Sequence, residues 1–190
     1  MLRSLSVDAV KRKLGIAEFL EWAEQQPDTT RHELVNGEPV AMAPERIEHA
    51  RVKHRVARAL EDAIAAAELP CEALPDGVGV VINENTLYEP DAMVVCGEEL
   101  DPDGLAVTDA VIVVEVLSPS TRARDSGAKL EDYFRLVSLR HYLLVKTDTQ
   151  AVIHHAKSSD GTIATRVLRS GQLVLDPPGL SLSIEALFRS

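Results

Sequence analysis

Two carboxylates and one lysine stand out among the 190 residues by where they fall. Asp91 lies in the run Tyr88-Glu89-Pro90-Asp91-Ala92-Met93-Val94-Val95, and Glu115 in Ala110-Val111-Ile112-Val113-Val114-Glu115-Val116-Leu117. Lys129 follows in a helical stretch. Both apolar runs are β-rich enough to read as strands. An ionised glutamate in a strand buried on both faces is costly unless a cation or hydrogen bonds compensate it. Glu115 is therefore expected at an edge of the core, or bound by something. Phosphodiester cleavage is a chemistry that uses such a set. Mg²⁺ or Mn²⁺ held by one or two carboxylates polarises the phosphate and acidifies a water. A nearby ammonium stabilises the charge that builds on the phosphoryl oxygens, or orients the attacking water. Lys129 is the lysine best placed by sequence; Lys53, Lys146 and Lys157 lie further from this unit.

The elements that must position these groups are legible from pattern. Ile16, Phe19, Leu20 and Ala23 recur at helical spacing up to Pro27, after a basic start over residues 1 to 14 that is expected to be flexible or loosely docked. Asn36-Gly37 between two strand-like runs predicts a hairpin that carries Glu33 on its first arm. Glu45 to Leu69 has no Gly or Pro and reads as one long helix, with Ile47, Val52, Val56, Ala59, Leu60, Ala63 and Ile64 on its apolar side and Pro70 as its stop. Strands are expected at 71–74, 78–82, 90–95 and 110–117, forming a central sheet. A helix over 125–136 and a strand over 141–145 then suggest a parallel crossover. Strands at 151–156, 162–168 and 173–175 read as an antiparallel extension, and 183–188 as a short final helix.

Length, 45% hydrophobic and 26% charged residues describe one globular domain over residues 1–190. The formal net charge of -10 argues against strong sequence-independent attraction to nucleic acid. Between Arg46 and Arg58, however, positives outnumber the single Glu48. Cys71 and Cys96, in apolar surroundings and without metal-type spacing, are expected to be reduced core residues. No secretion signal and no bilayer-length apolar window is evident, so a cytoplasmic protein is expected. Arg outnumbers Lys more than twofold and Ala is abundant, as suits a GC-rich bacterial genome.

Glu33-Leu34-Val35-Asn36-Gly37, then Met42, Pro44 and His49, then Pro90-Asp91, then Val114-Glu115-Val116-Leu117-Ser118-Pro119-Ser120, then Asp125, Lys129 and Tyr133 occur in this order. Together they resemble the Uma-two-type restriction endonuclease family of the PD-(D/E)XK nuclease superfamily, over most of residues 16 to 175. The resemblance implies an α/β, restriction-endonuclease-like fold: a mixed central β-sheet flanked by helices, here with an antiparallel C-terminal extension. It also implies an endonuclease acting on DNA with Mg²⁺ or Mn²⁺ as cofactor, commonly as a homodimer. Asp91 and Glu115 would bind the metal, Glu33 would complete the site, and Lys129 would help activate water or stabilise the developing charge. His49 and Asp125 would support these groups from behind. In the simplest form of the motif a lysine stands two positions after the acid, where this chain has Leu117; Lys129 must take over that role.

Arg51, Arg55 and Arg58 share a helix face at i, i+4, i+7 spacing, and either meet phosphate or pair with Glu48, Glu61 and Asp62. Arg122 and Arg124, beside Glu115, are better placed for a nucleic-acid backbone. His154 and His155 alternate across a strand and cannot share a metal. Ser118 and Ser120 lack the Gly-x-Ser-x-Gly turn of a serine nucleophile. Beside the endonuclease stand two alternatives: a catalytically inactive nuclease-fold protein used for binding or interaction, and a metal-dependent phosphoesterase acting on a small substrate.

Overall fold

The computed structural model describes residues 12–27, 30–117 and 127–189. Helix α1 (Ile16–Glu24) is followed by the hairpin β1 (His32–Val35) and β2 (Glu38–Ala41) and the long helix α2 (Ile47–Ala67). Next come β3 (Cys71–Pro75), β4 (Gly79–Asn83), β5 (Thr86–Tyr88), β6 (Ala92–Cys96), β7 (Ala106–Val107) and β8 (Ile112–Leu117). Helix α3 (Ala128–Tyr133), β9 (His141–Lys146), β10 (Ala151–Lys157), β11 (Ile163–Leu168), β12 (Gln172–Leu175), β13 (Leu180–Ser183) and a 3-10 turn (Glu185–Leu187) complete the chain. The expected α1, the long helix and the Asn36-Gly37 hairpin are present. Asn36 and Gly37 both take positive φ, 51° and 83°, as a two-residue hairpin turn demands. A Cβ at Gly37 would sit 2.6 Å from the Lys13 Cβ, so the chain before α1 can pass only over a glycine.

The strands divide into two main sheets. One has the order β11-β10-β9-β8-β6-β3, the other β2-β1-β5-β4-β7, and β12 with β13 forms a separate pair. Within the six-stranded sheet β8 and β9 run parallel, joined through α3, while the other pairs are antiparallel. The crossover read from the sequence is therefore real. Because side chains alternate along a strand, β8 serves two cores. Ile112, Val114 and Val116 pack with α2 (Val52, Val56, Leu60), β12 and β13. Val113 and Leu117 point the other way, into a core with Val80, Tyr88, Tyr133 and Tyr142. Glu115 shares that second face. A third cluster, Phe19, Leu34 and Leu87, seats α1 on the outer side of the five-stranded sheet.

Several expectations need correction. The run from Tyr88 to Val95 is not one strand: β5 ends at Tyr88 in one sheet and β6 starts at Ala92 in the other. Pro90 lacks the N–H a ladder needs, so the chain changes sheets there, and Asp91 occupies the junction. The strands expected to form a single central sheet are thus shared between two. β5 and β7 are too short to show a period of their own. The expected final helix over 183–188 is the end of β13 plus a single 3-10 turn. Ile47, at the exposed start of α2, is 73% accessible and does not join the core. Cys71 and Cys96 are bonded as a disulfide rather than reduced. They are direct partners across the β3–β6 ladder, with Cα atoms 3.9 Å apart. The Cys71 N–H goes to Leu69 O, which leaves the closely approaching kind of cross-strand pair. The first eleven residues, and 125–126 at the start of the expected third helix, lie outside the described residues.

His154 and His155 do face opposite ways, and His154 meets a second histidine. His141 Nε2 lies 2.9 Å from Pro177 O and can only donate there. Its Nδ1 then accepts from His154 Nε2 at 2.9 Å, and His154 Nδ1 accepts from Arg166 at 3.2 Å. A proton added to either ring would set donor against donor. Burial lowers both pKa values, that of His154 to about 4, with His141 and Arg166 adding to the effect. An unfolded histidine titrates near 6.5. The pair's stabilisation is therefore present above about pH 6.5 and lost as pH falls toward 4, amounting to on the order of 2 kcal/mol. Thermal unfolding of wild type and His154→Gln is expected to show a gap that narrows from pH 7 to pH 4.5; a gap independent of pH would contradict the neutral pair.

Candidate active site

Glu115 sits in the middle of the six-stranded sheet, between β6 and β9, and is buried. It cannot turn outward, since its strand is covered on both faces. Its charge is met from α3. Lys129 Nζ lies 3.0 Å from Glu115 Oε1 and 2.8 Å from Glu33 Oε1, and the Tyr133 hydroxyl donates to Glu115 Oε1 at 3.1 Å. One turn of helix separates Lys129 from Tyr133, so both reach the same carboxylate. Lys129 also stands 5.0 Å over the Tyr88 ring. Tyr88 in turn donates to Asp132 at 2.6 Å, which ties α3 to the five-stranded sheet. Glu33 comes from β1 in that sheet and also accepts the Glu89 N–H at 3.0 Å. The lysine therefore bridges the two sheets.

Asp91 enters from the junction before β6. Its own N–H bonds Val114 O at 3.0 Å, and its Oδ2 accepts the Val116 N–H at 2.5 Å, so it flanks Glu115 on both backbone sides. Oδ1 lies 3.0 Å from Lys53 Nζ. Lys53, which its place in the sequence sets apart from this unit, is thus part of it. The residue projects from α2, is 4% exposed, and also contacts Glu45 and, at 2.6 Å, Asp76. The signal for it was spacing: Lys53 stands four residues after His49 and shares a helix side with Val56 and Leu60. His49 Nε2 lies 3.6 Å from Asp91 Oδ2, a charge contact too long for a hydrogen bond. Arg31 binds Asp76 at 2.9 Å and also pairs with Glu89, extending the network outward.

The electrostatics separate the two carboxylates. Burial pushes Glu115 up to about 7; Lys129 opposes this, while the charges of Asp91 and Glu33 add to it. Burial would also raise Asp91, but His49, Lys53 and the Val116 amide outweigh it and hold Asp91 below the usual carboxylate range. Burial works against the charged form of His49, yet Asp91 and Glu45 raise its pKa. Tyr133 is pushed well up by burial and by Glu115, so it remains a hydrogen-bond donor.

The structure brings together Asp91, Glu115, Glu33, Lys129 and His49 from the expected set, and adds Lys53 and Tyr133. Arg51 remains exposed, 3.9 Å from Glu48. Arg55 donates to Leu187 O and to Glu48, both at 3.0 Å, bracing α2 against the C-terminal turn. Arg122, Arg124 and Asp125 lie outside the described residues. Leu117 shares the face of Glu115, so a lysine at that position would point at the same site. Lys129 reaches it from the following helix instead.

Whether the donors suit a hard divalent cation can be judged from their chemistry. Among the described residues no cluster of three or more His, Cys, Asp or Glu side chains forms a ready metal cage. Mg²⁺, however, keeps several waters and needs only one or two carboxylates. Among the described residues, six carboxylates (Glu33, Glu45, Asp76, Glu89, Asp91, Glu115) and three permanent cations (Arg31, Lys53, Lys129) meet around the junction. Burial is the main reason that the pKa of Glu115 is raised, with the charges of Asp91 and Glu33 adding to it. Carboxylate oxygens are the donors that a hard divalent cation takes, so Asp91 and Glu115 suit such an ion in kind.

Comparison with known proteins gives the family and the fold. The Uma2 family profile, described as "Putative restriction endonuclease", matches residues 16–187. Two uncharacterized proteins of Synechocystis are each 28% identical to the chain. One, slr1290, aligns over 93% of this chain and 92% of its own length, and the other, sll1609, over 82% and 88%. The crystal structure of a protein from Anabaena variabilis, described as "a putative nuclease belonging to DUF820", superposes with a TM-score of 0.69 at 16% identity. It covers 92% of this chain and 97% of that one, and so shares the fold. The chain belongs to the Uma2 family and has its restriction-endonuclease-like fold.

Proposed function

We propose that the chain is an endonuclease that hydrolyses DNA phosphodiester bonds with Mg²⁺ or Mn²⁺, using Asp91 and Glu115 as metal ligands. The observation that carries this reading is Glu115 buried within a central strand, with Lys129 on it and Asp91 bonded to the next amide. Such an arrangement adds little net stability to a core, and perturbed buried carboxylates cluster at functional sites. Membership of a family described as "Putative restriction endonuclease", and a fold shared with a protein described as "a putative nuclease", support the same chemistry.

When bound, the divalent ion would polarise the phosphate and lower the pKa of a water. The protein's own groups do the rest. Asp91 stays ionised and is fixed in direction by the Val116 amide. Lys129 holds an ammonium beside Glu115, where it can orient the attacking water or stabilise charge on the phosphoryl oxygens. Glu33 fixes that ammonium from the other side, and Tyr133 fixes Glu115. Arg51 on the exposed side of α2, with Arg122 and Arg124, is proposed to meet the DNA backbone, and the active form is proposed to be a cytoplasmic homodimer. The second reading, a nuclease-fold binding protein without activity, is favoured by the net charge of -10 and by the ammonium already seated on Asp91.

Plasmid cleavage with Mg²⁺ or Mn²⁺ separates the two. Asp91→Ala and Glu115→Ala are expected to lower the rate by more than about 100-fold while far-UV circular dichroism stays unchanged. Cleavage that survives both substitutions would remove these residues from the site, and a wild-type protein without cleavage would favour the binding protein. Lys129→Met is expected to reduce turnover by about 100-fold at saturating metal; an unchanged rate beside inactive carboxylate variants would refute the lysine's role. Tyr133→Phe removes one hydrogen bond to a charged acceptor and is expected to cost about 2 kcal/mol in chemical denaturation.

A further inference from the structure

Lys53 has no part in the chemistry proposed above, yet it occupies the most consequential position available to a cation. An ammonium has three N–H donors. Three carboxylates surround this one: Glu45, just before α2, Asp76 in the turn after β3, and Asp91. Asp91 is the innermost of the three. Its side chain is 8% exposed, whereas those of Glu45 and Asp76 are 30% exposed. Its Oδ2 is taken by the Val116 amide, so Oδ1, the oxygen Lys53 covers, is the one left to face another cation. A second positive charge cannot share that oxygen without strong repulsion at such short range.

We propose that Lys53 is a built-in counter-ion that competes with the divalent cation for Asp91, so that metal binding requires its ammonium to withdraw onto Glu45 and Asp76. The inference rests on the metal-site reading given above and adds a regulatory feature to it. Withdrawal needs no new partner, because both outer carboxylates already contact the same nitrogen. Without metal, Lys53 keeps buried Asp91 neutralised and the junction between the two sheets closed. The competition sets a threshold of free cation below which the site stays self-paired. Arg31 provides the internal control, since it belongs to the same network through Asp76 and Glu89 but does not touch Asp91.

The test is calorimetric titration of Mn²⁺ into wild type, Lys53→Met, Lys53→Gln and Arg31→Gln, with melting temperatures measured with and without Mn²⁺. Both Lys53 variants are expected to bind Mn²⁺ at least about tenfold more tightly than wild type, as removal of a charge a few Å from a divalent ion requires. Arg31→Gln should change the affinity by less than about threefold. The Lys53 variants should also melt below wild type without Mn²⁺ and gain more in melting temperature when it is added. Equal or weaker binding in the Lys53 variants would overturn the competition while leaving the metal site standing. Tightening as large in Arg31→Gln would overturn it too, by showing a diffuse charge effect. Mn²⁺ binding to none of the proteins would remove the metal site and this inference together.

Discussion

The structure depends on how a glutamate in the middle of a fully buried strand is kept in place. Glu115 is almost entirely shielded from solvent, and its neighbours on β8 are apolar on both faces of the sheet. Lys129 and Tyr133, one helical turn apart on α3, supply the charge and the hydrogen bond that make the position tenable. Because Lys129 also takes Glu33 from the other sheet, the same ion-pair network that neutralises the carboxylate closes the interface between two sheets. Stability and the proposed chemistry draw on one set of atoms. A buried pair of this kind contributes little net stability compared with apolar packing, but losing one partner is expensive. The residues are therefore locked into each other's presence.

Asp91 solves a related problem differently. It lies where the chain leaves one sheet for the other, a position created by Pro90, and it is held by backbone amide and lysine rather than by another helix turn. The result is two adjacent carboxylates with opposite tendencies. One is kept ionised, and the other is pushed up to about 7 by burial and by its negative neighbours. Two lysines from two helices, α2 and α3, approach them from opposite cores. Lys129 sits where chemistry on a phosphate would need a cation, and Lys53 sits where a cation ligand would need to be free.

Much of this was legible in the sequence because it rests on local pattern. Helical spacing located α1 and α2, Asn36-Gly37 located the hairpin, and strand–helix–strand order located the parallel pair β8 and β9. The anomaly of charge inside apolar runs identified Asp91 and Glu115, and residue order across the chain pointed to Glu33 and Lys129. Long-range pairing was not legible. Tyr88 to Val95 reads as one strand, and nothing local reveals that it crosses between sheets at Pro90. Cys71 and Cys96 look like isolated core thiols until the β3–β6 register sets them opposite each other. Lys53 lies 38 positions from Asp91 in the sequence. Among the helix's many charges, its i+4 relation to His49 and the helix side it shares with Val56 and Leu60 hinted that it turns inward.

Asp91 and Glu115 are proposed to hold one divalent cation between them. Anomalous diffraction from crystals grown with Mn²⁺ is the decisive measurement. One anomalous peak is expected within coordination distance of both carboxylates, with Lys53 shifted off Asp91 toward Glu45 and Asp76. A peak elsewhere, or well-ordered Asp91 and Glu115 with no peak between them and Lys53 still in place, would contradict it.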